Sequence, residues 1–233
     1  NLKKNFCEIQ LKRNLDLYKE ITLFKKKDIS KHVSWITIFQ IYNYVLEKKP
    51  KKILELGSGL STVIILNAIK RIKQKNPKYN PDFISMENHK KYFLNTKKKL
   101  PKHYRGWYKL VLSKTVKDSF LLFSGYRYLN IPKMKYDFIF IDGPNYNDQE
   151  GMSCSFDIVY ILNNFSQKFD CIIEKRISTS YIMQKLLGRK SVKLSLINRT
   201  TFLKADRKKI NKKLDSRVFF KGLFGGIYFK GFY

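Results

Sequence analysis

Acidic residues are scarce in this chain. Against 48 lysines and arginines stand 18 aspartates and glutamates, leaving a formal charge of +30. A field of that sign draws polyanions such as nucleic acid, acidic glycans and anionic lipid surfaces. Arginine is scarce too, nine residues against 39 lysines, and sequence-reading nucleic-acid sites depend on its bidentate fork. The lysine excess accompanies many Ile, Asn, Phe and Tyr residues, all drawn from adenine- and thymine-rich codons. The charge alone therefore selects no partner. Three cysteines (Cys7, Cys154, Cys171) are too few and too scattered for a disulfide framework or a zinc knuckle, and His32, His89 and His103 show no metal-ligand spacing. No apolar run reaches the roughly 18 residues of a membrane span. The stretch "NLKKNFCEIQLKRN" lacks the apolar centre of a secretory signal, so a cytoplasmic, reducing compartment is expected.

What is present suits a folded domain. Hydrophobic residues make up 43 % and aromatics 15 % of the 233 residues, too rich for a disordered chain. The first 29 residues read as a basic helical extension and 30–233 as one domain. Helical spacing runs over 32–47, with Ser30 at its entry. A buried-strand run "KILEL" follows, then Gly57 and Gly59, then a helix over about 61–73. "DFISME" (82–87), "YKLVLS" (108–113), "YDFIFID" (136–142) and "DCIIEK" (170–175) read as further strands. Helices are expected over 88–100, 151–166 and 179–188. Near the C-terminus "SVKLSLI" and "GGIYFKGFY" read as a closing strand pair. Strands alternating with helices imply a three-layer, doubly wound α/β fold with a mostly parallel sheet and an antiparallel pair at one edge.

In such sheets ligands sit beyond the carboxyl ends of the strands. "LELGSGLST" puts a glycine turn there, with Glu55 two residues ahead of Gly57 and with Ser61 and Thr62 able to cap the next helix. A P-loop needs a lysine after its second glycine, and "GLST" has none. A dinucleotide fingerprint wants a third glycine where Leu60 and Ser61 stand, and Glu55 would set a negative charge near the pyrophosphate. In a partly dry site that repulsion costs on the order of 1–4 kcal/mol. A cationic nucleoside reverses the sign. S-adenosylmethionine carries a sulfonium and an ammonium and no phosphate. Glu87 ends the second strand in "FISMEN", where a carboxylate can accept two ribose hydroxyls. It lies 28 residues after Gly59, beyond the usual spacing of about 20, because of the polar insert "KQKNPKYNPD".

On "ELGSGLST", "SMEN" and "FIFIDGPNY" the chain resembles the class I S-adenosylmethionine-dependent methyltransferases over about residues 30–233. The resemblance implies a Rossmann-like sheet of seven strands whose last two are antiparallel. It implies that Glu55, Gly57, Ser58 and Gly59 surround the methionine part, with Ser61 and Thr62 behind them, and that Glu87 holds the ribose. Asp142 would lie beside the methyl group. The usual acidic residue after the third strand is missing from "VLSKTVKDS", which leaves the adenine contacts around Ser113 unassigned.

Methyl transfer is an in-line displacement, so a site must align the nucleophile, exclude water and often remove a proton. Asp142 can serve as base, orient the acceptor or bind a metal, Gly143 and Pro144 shape a turn, and Tyr146 can wall the acceptor pocket. "IDGP" resembles O-methyltransferases, including a group that methylates sugar hydroxyls. Catechol-type relatives bind a divalent metal through this aspartate and an Asp-Asn pair after strand five. Here that strand ends in Glu174-Lys175-Arg176, so no metal is expected, and Lys175 and Arg176 can face an anionic acceptor such as a uronate. Amino methyltransferases of nucleic acids use Asn/Asp-Pro-Pro-aromatic, which "DGPNY" matches poorly. The leading expectation is O-methylation of a sugar, glycan or small-molecule hydroxyl. A nucleic-acid methyltransferase and an inactive basic binding module of the same fold are the alternatives.

Overall fold

Residues 52–56 alternate little and are apolar except for two, as befits a strand covered on both faces. A computed structural model describes residues 2–26, 33–121, 123–144, 154–196 and 198–211. Contacts divide the chain into two compact units, 1–112 and 113–233. In chain order the first holds α1 (Leu2–Lys12), α2 (Leu15–Lys26), α3 (Trp35–Lys48), β1 (Lys52–Leu56), α4 (Leu60–Lys75), β2 (Asp82–Glu87), α5 (Lys90–Lys99) and β3 (Lys109–Leu112). β1 pairs in parallel with β2, and β2 with β3. Lys52 and Asp82 are register partners at the open ends of β1 and β2 and close an ion pair there.

The helix α3 starts at Ser34, whose hydroxyl accepts the Thr37 N–H at 3.2 Å. Ser30 and His32 lie outside the described residues. α1 packs on α3, and α2 on α4. Glu20 of α2 fastens this layer: its carboxylate accepts from the Tyr104 hydroxyl (2.8 and 3.0 Å) and from Asn67 of α4 (3.0 Å). Burial and the adjacent Glu20 charge both push the Tyr104 hydroxyl to higher pKa. The chain has two tryptophans, and each lies under a lysine ammonium: Lys25 is 3.9 Å from the Trp35 ring centre, Lys73 4.6 Å from that of Trp107.

The second unit holds β4 (Thr115–Phe120), β5 (Phe123–Tyr128), β6 (Phe138–Ile141), α6 (Asp157–Asn164), β7 (Lys168–Glu174), α7 (Ile177–Leu187), β8 (Val192–Ser195) and β9 (Thr200–Asp206). β6 and β7 are parallel, while β9 runs antiparallel to both β7 and β8. The strand order is β3-β2-β1-β6-β7-β9-β8, the expected seven-stranded, mostly parallel sheet with its antiparallel pair. That pair is built from Val192–Ser195 and Thr200–Asp206; "GGIYFKGFY" lies outside the described residues. β4 and β5 form a separate antiparallel hairpin that the sequence reading did not anticipate. Among the described residues no helix is long and apolar enough to cross a membrane.

Candidate functional site

In the first unit the turn after β1 is tied down from both sides. Glu55 is wholly buried, and its Oε2 accepts from Ser85 Oγ at 2.5 Å and Thr62 Oγ1 at 2.6 Å. Ser85 is its register partner on β2, and Thr62 stands in the first turn of α4. Thr62 Oγ1 also accepts the Gly59 N–H at 3.0 Å. One carboxylate thus links strand, turn and helix start, and bonds to a charged group each contribute about 1.5–3 kcal/mol. Ser61 is buried in the same helical turn. Gly57 has φ 96°, in the left-handed region where a side chain is strained, and its N–H donates to the Met86 carbonyl at 2.9 Å. At Gly59 a Cβ would meet nothing within 4 Å, so the turn has open space beside its backbone.

Glu87 closes the other side. Its Oε1 accepts the N–H groups of Asn88 (2.9 Å) and His89 (3.1 Å), and its Oε2 accepts the N–H (3.2 Å) and hydroxyl (3.3 Å) of Ser58. Ser58 Oγ also reaches Thr96 Oγ1 of α5 at 3.3 Å. Burial raises the Glu87 pKa, and the three backbone N–H groups oppose that rise. Of these four donors only the Ser58 hydroxyl can rotate away. A diol seeking this carboxylate would therefore displace one serine hydroxyl and leave the backbone bonds intact.

In the second unit β6 is buried throughout and delivers the half-buried Asp142, followed by a cis Gly143–Pro144 bond. Burial pushes the Asp142 pKa up, while the charges of Arg176 and Lys175 pull it back. Arg176 is buried and donates through Nη2 to the Asp142 carbonyl. Lys175 adopts φ 54°, its N–H donates to the Arg199 carbonyl at 2.6 Å, and its Nζ is 3.3 Å from Glu174 Oε1. Arg176 is therefore built into the support of the Asp142 turn, whereas the Lys175 side chain is 45 % exposed. Tyr146 lies outside the described residues. Ser113 is buried and accepts the Asn130 N–H at 3.1 Å. Among the described residues no three His, Cys, Asp or Glu side chains cluster as a metal set.

The sequence reading missed a buried polar cluster in the second unit. Asp157 is wholly buried; it accepts the Tyr128 N–H at 2.8 Å and the Ser155 hydroxyl at 2.6 Å. Ser155 in turn donates its N–H to Thr179 Oγ1 at 2.9 Å. Residues 154–156 lie alongside β5, with the Tyr126 N–H on the Cys154 carbonyl (3.0 Å) and the Phe156 N–H on the Tyr126 carbonyl (2.8 Å). The hairpin thus grips the chain where it enters α6. Ser85, Thr96 and Ser155 carry no motif; only the register of Ser85 opposite Glu55 could have pointed to it.

No family model matches the chain, and no curated protein does. Solved structures do. An S-adenosylhomocysteine-bound methyltransferase of Podospora anserina is 14 % identical at TM-score 0.54, over 82 % of this chain and 88 % of its own. A provisionally assigned caffeoyl-CoA O-methyltransferase of Staphylococcus aureus is 13 % identical at TM-score 0.53, over 88 % of this chain and all of its own. An O-methyltransferase of Bacillus cereus in complex with S-adenosylhomocysteine is 12 % identical at TM-score 0.50, over 81 % and 88 %. At these identities the likeness shows the fold: this chain has the Rossmann-like fold of class I methyltransferases.

Proposed function

We propose that this chain binds S-adenosylmethionine and methylates an acceptor hydroxyl, on a sugar, a glycan or a small molecule. The observation that carries the reading is the glycine turn held between two buried carboxylates, Glu55 and Glu87. That arrangement favours a cationic nucleoside over a phosphorylated one by Coulomb's law. The open space beside Gly59 and the single displaceable donor on Glu87 fit such a ligand. Glu55, Gly57, Ser58, Gly59, Ser61, Thr62 and Glu87 would hold it, the first of these through the turn rather than by direct contact. When bound, S-adenosylmethionine supplies an electrophilic methyl group on a sulfonium.

The remaining work falls to the second unit. A carboxylate whose pKa burial has raised is suited to take a hydroxyl proton, and Asp142 would receive the acceptor's proton on its side-chain oxygen. Arg176 fixes the backbone of that residue. The exposed part of Lys175 would meet an anionic acceptor such as a uronate. Titration calorimetry tests the first half: S-adenosylhomocysteine binds the native chain, NADH does not, and Gly57→Arg abolishes the heat. Asp142→Ala should retain cofactor binding and lose transfer of a labelled methyl group to acidic sugars. Binding of NADH in place of the nucleoside, or undiminished transfer by Asp142→Ala, would refute the reading.

A further inference from the structure

Helix α1 carries a second apolar side that is largely exposed. On α1, Cys7 and Leu11 point inward, while Leu2, Phe6 and Ile9 lie along the other side at i, i+4 and i+7. Their exposures are 89, 55 and 53 %, although the Phe6 ring edge touches Phe39 at a centroid distance of 6.3 Å. On α2, Leu15 and Leu23 are 67 and 66 % exposed. A helix apolar on two sides is normally enclosed on both, and a grouped, exposed apolar face marks a site of interaction. Lys3 and Lys12 flank the stripe on its two sides and Arg13 follows the end of the helix, and the one acid on α1, Glu8, is paired with Lys12 at 3.0 Å.

We propose that this face seats the protein on an anionic phospholipid surface, with α1 lying in the headgroup layer. Lysines flanking a stripe of Leu, Phe and Ile form the pattern of an interfacial helix, which gains from apolar burial and from acidic headgroups together. A second copy would supply apolar surface, but each copy carries +30, so apposed copies repel. A nucleic acid would neutralise the lysines and leave Phe6 and Ile9 in water. Acidic lipid satisfies both features.

The full chain is floated with vesicles of pure phosphatidylcholine and of phosphatidylcholine containing one-third phosphatidylglycerol. Binding is expected to the anionic vesicles alone and to weaken as salt is raised. Phe6→Ser with Ile9→Ser, both at exposed positions, should lower partitioning about tenfold or more with an unchanged circular dichroism melt. Should that pair disturb the fold, Phe6→Trp gives an independent reading: added emission that shifts to the blue and is quenched by brominated lipid. Failure to float with anionic vesicles, flotation insensitive to the serine pair, or added indole emission that brominated lipid leaves unquenched would overturn the proposal. So would a concentration-dependent dimer in lipid-free buffer that the serine pair dissolves, which would make the face an interface between copies.

Discussion

Asp157 is a charge held where water cannot reach it, and its pKa is pushed up to about 6 from 3.8. Burial is the main cause; the bonds from Ser155 and Tyr128 and the charge of Arg176 oppose it without cancelling it. Because the folded value is raised, the native state binds the extra proton between about pH 4 and 6, and stability is lost as pH climbs through that window. An asparagine can keep both bonds, accepting from Tyr128 and donating to the serine oxygen. Asp157→Asn should therefore match the native chain below pH 4 and exceed it above pH 7 by up to about 3 kcal/mol, at 1.36 kcal/mol per pKa unit. Urea unfolding across that range reads the difference. Single residues were legible in the sequence where a motif surrounds them. Glu55 stands two residues ahead of a glycine turn and Glu87 ends its strand beside an asparagine, whereas Ser85 hides in an apolar run and meets Glu55 from 30 positions away. Asp157 carries no motif and falls inside the helix expected over 151–166, whereas the observed helix begins at Asp157 itself.

Elements in this chain are locked by a few close approaches. A Cβ on Gly125 of β5 would sit 2.3 Å from the Cys154 carbonyl oxygen and 2.6 Å from the Phe156 ring. Gly125→Ala must push the hairpin off residues 154–156, and overpacking of this kind costs about 1–3 kcal/mol or more; a thermal melt should show the loss. Tyr104→Phe strips Glu20 of its shortest bond and should cost about 1–3 kcal/mol, the usual penalty for leaving a buried acceptor short of a donor. The matching measurement is chemical unfolding. The central parallel strands β1, β2, β6 and β7 were readable because burial on both faces writes most of their residues as apolar: "DFISME" agrees residue for residue with β2. The hairpin was not, because "TVKDSF" is partly exposed, and the Arg127–Asp118 ion pair that spans its strands at 2.6 Å carries no motif. "TTFLKAD" escaped notice for a related reason: its threonines are buried against β7 at positions that read as polar.

At the scale of the molecule the surplus positive charge works against compactness. Most lysines are exposed, and their mutual repulsion is relieved when salt shortens the Debye length to about 10 Å at 0.1 M. Raising sodium chloride from low to physiological strength should lift the melting temperature by about 2–4 °C, the shift expected for roughly 1 kcal/mol in a chain of this size. Scanning calorimetry measures it, and a flat or falling trend would mean that the surface ion pairs outweigh the repulsion. Both indoles, Trp35 and Trp107, belong to residues 1–112, each beneath an ammonium group. Intrinsic fluorescence is therefore a local gauge in this chain. It follows the half that carries the glycine turn and is silent about the half that carries Asp142, whose fate during melting has to be followed by another optical signal.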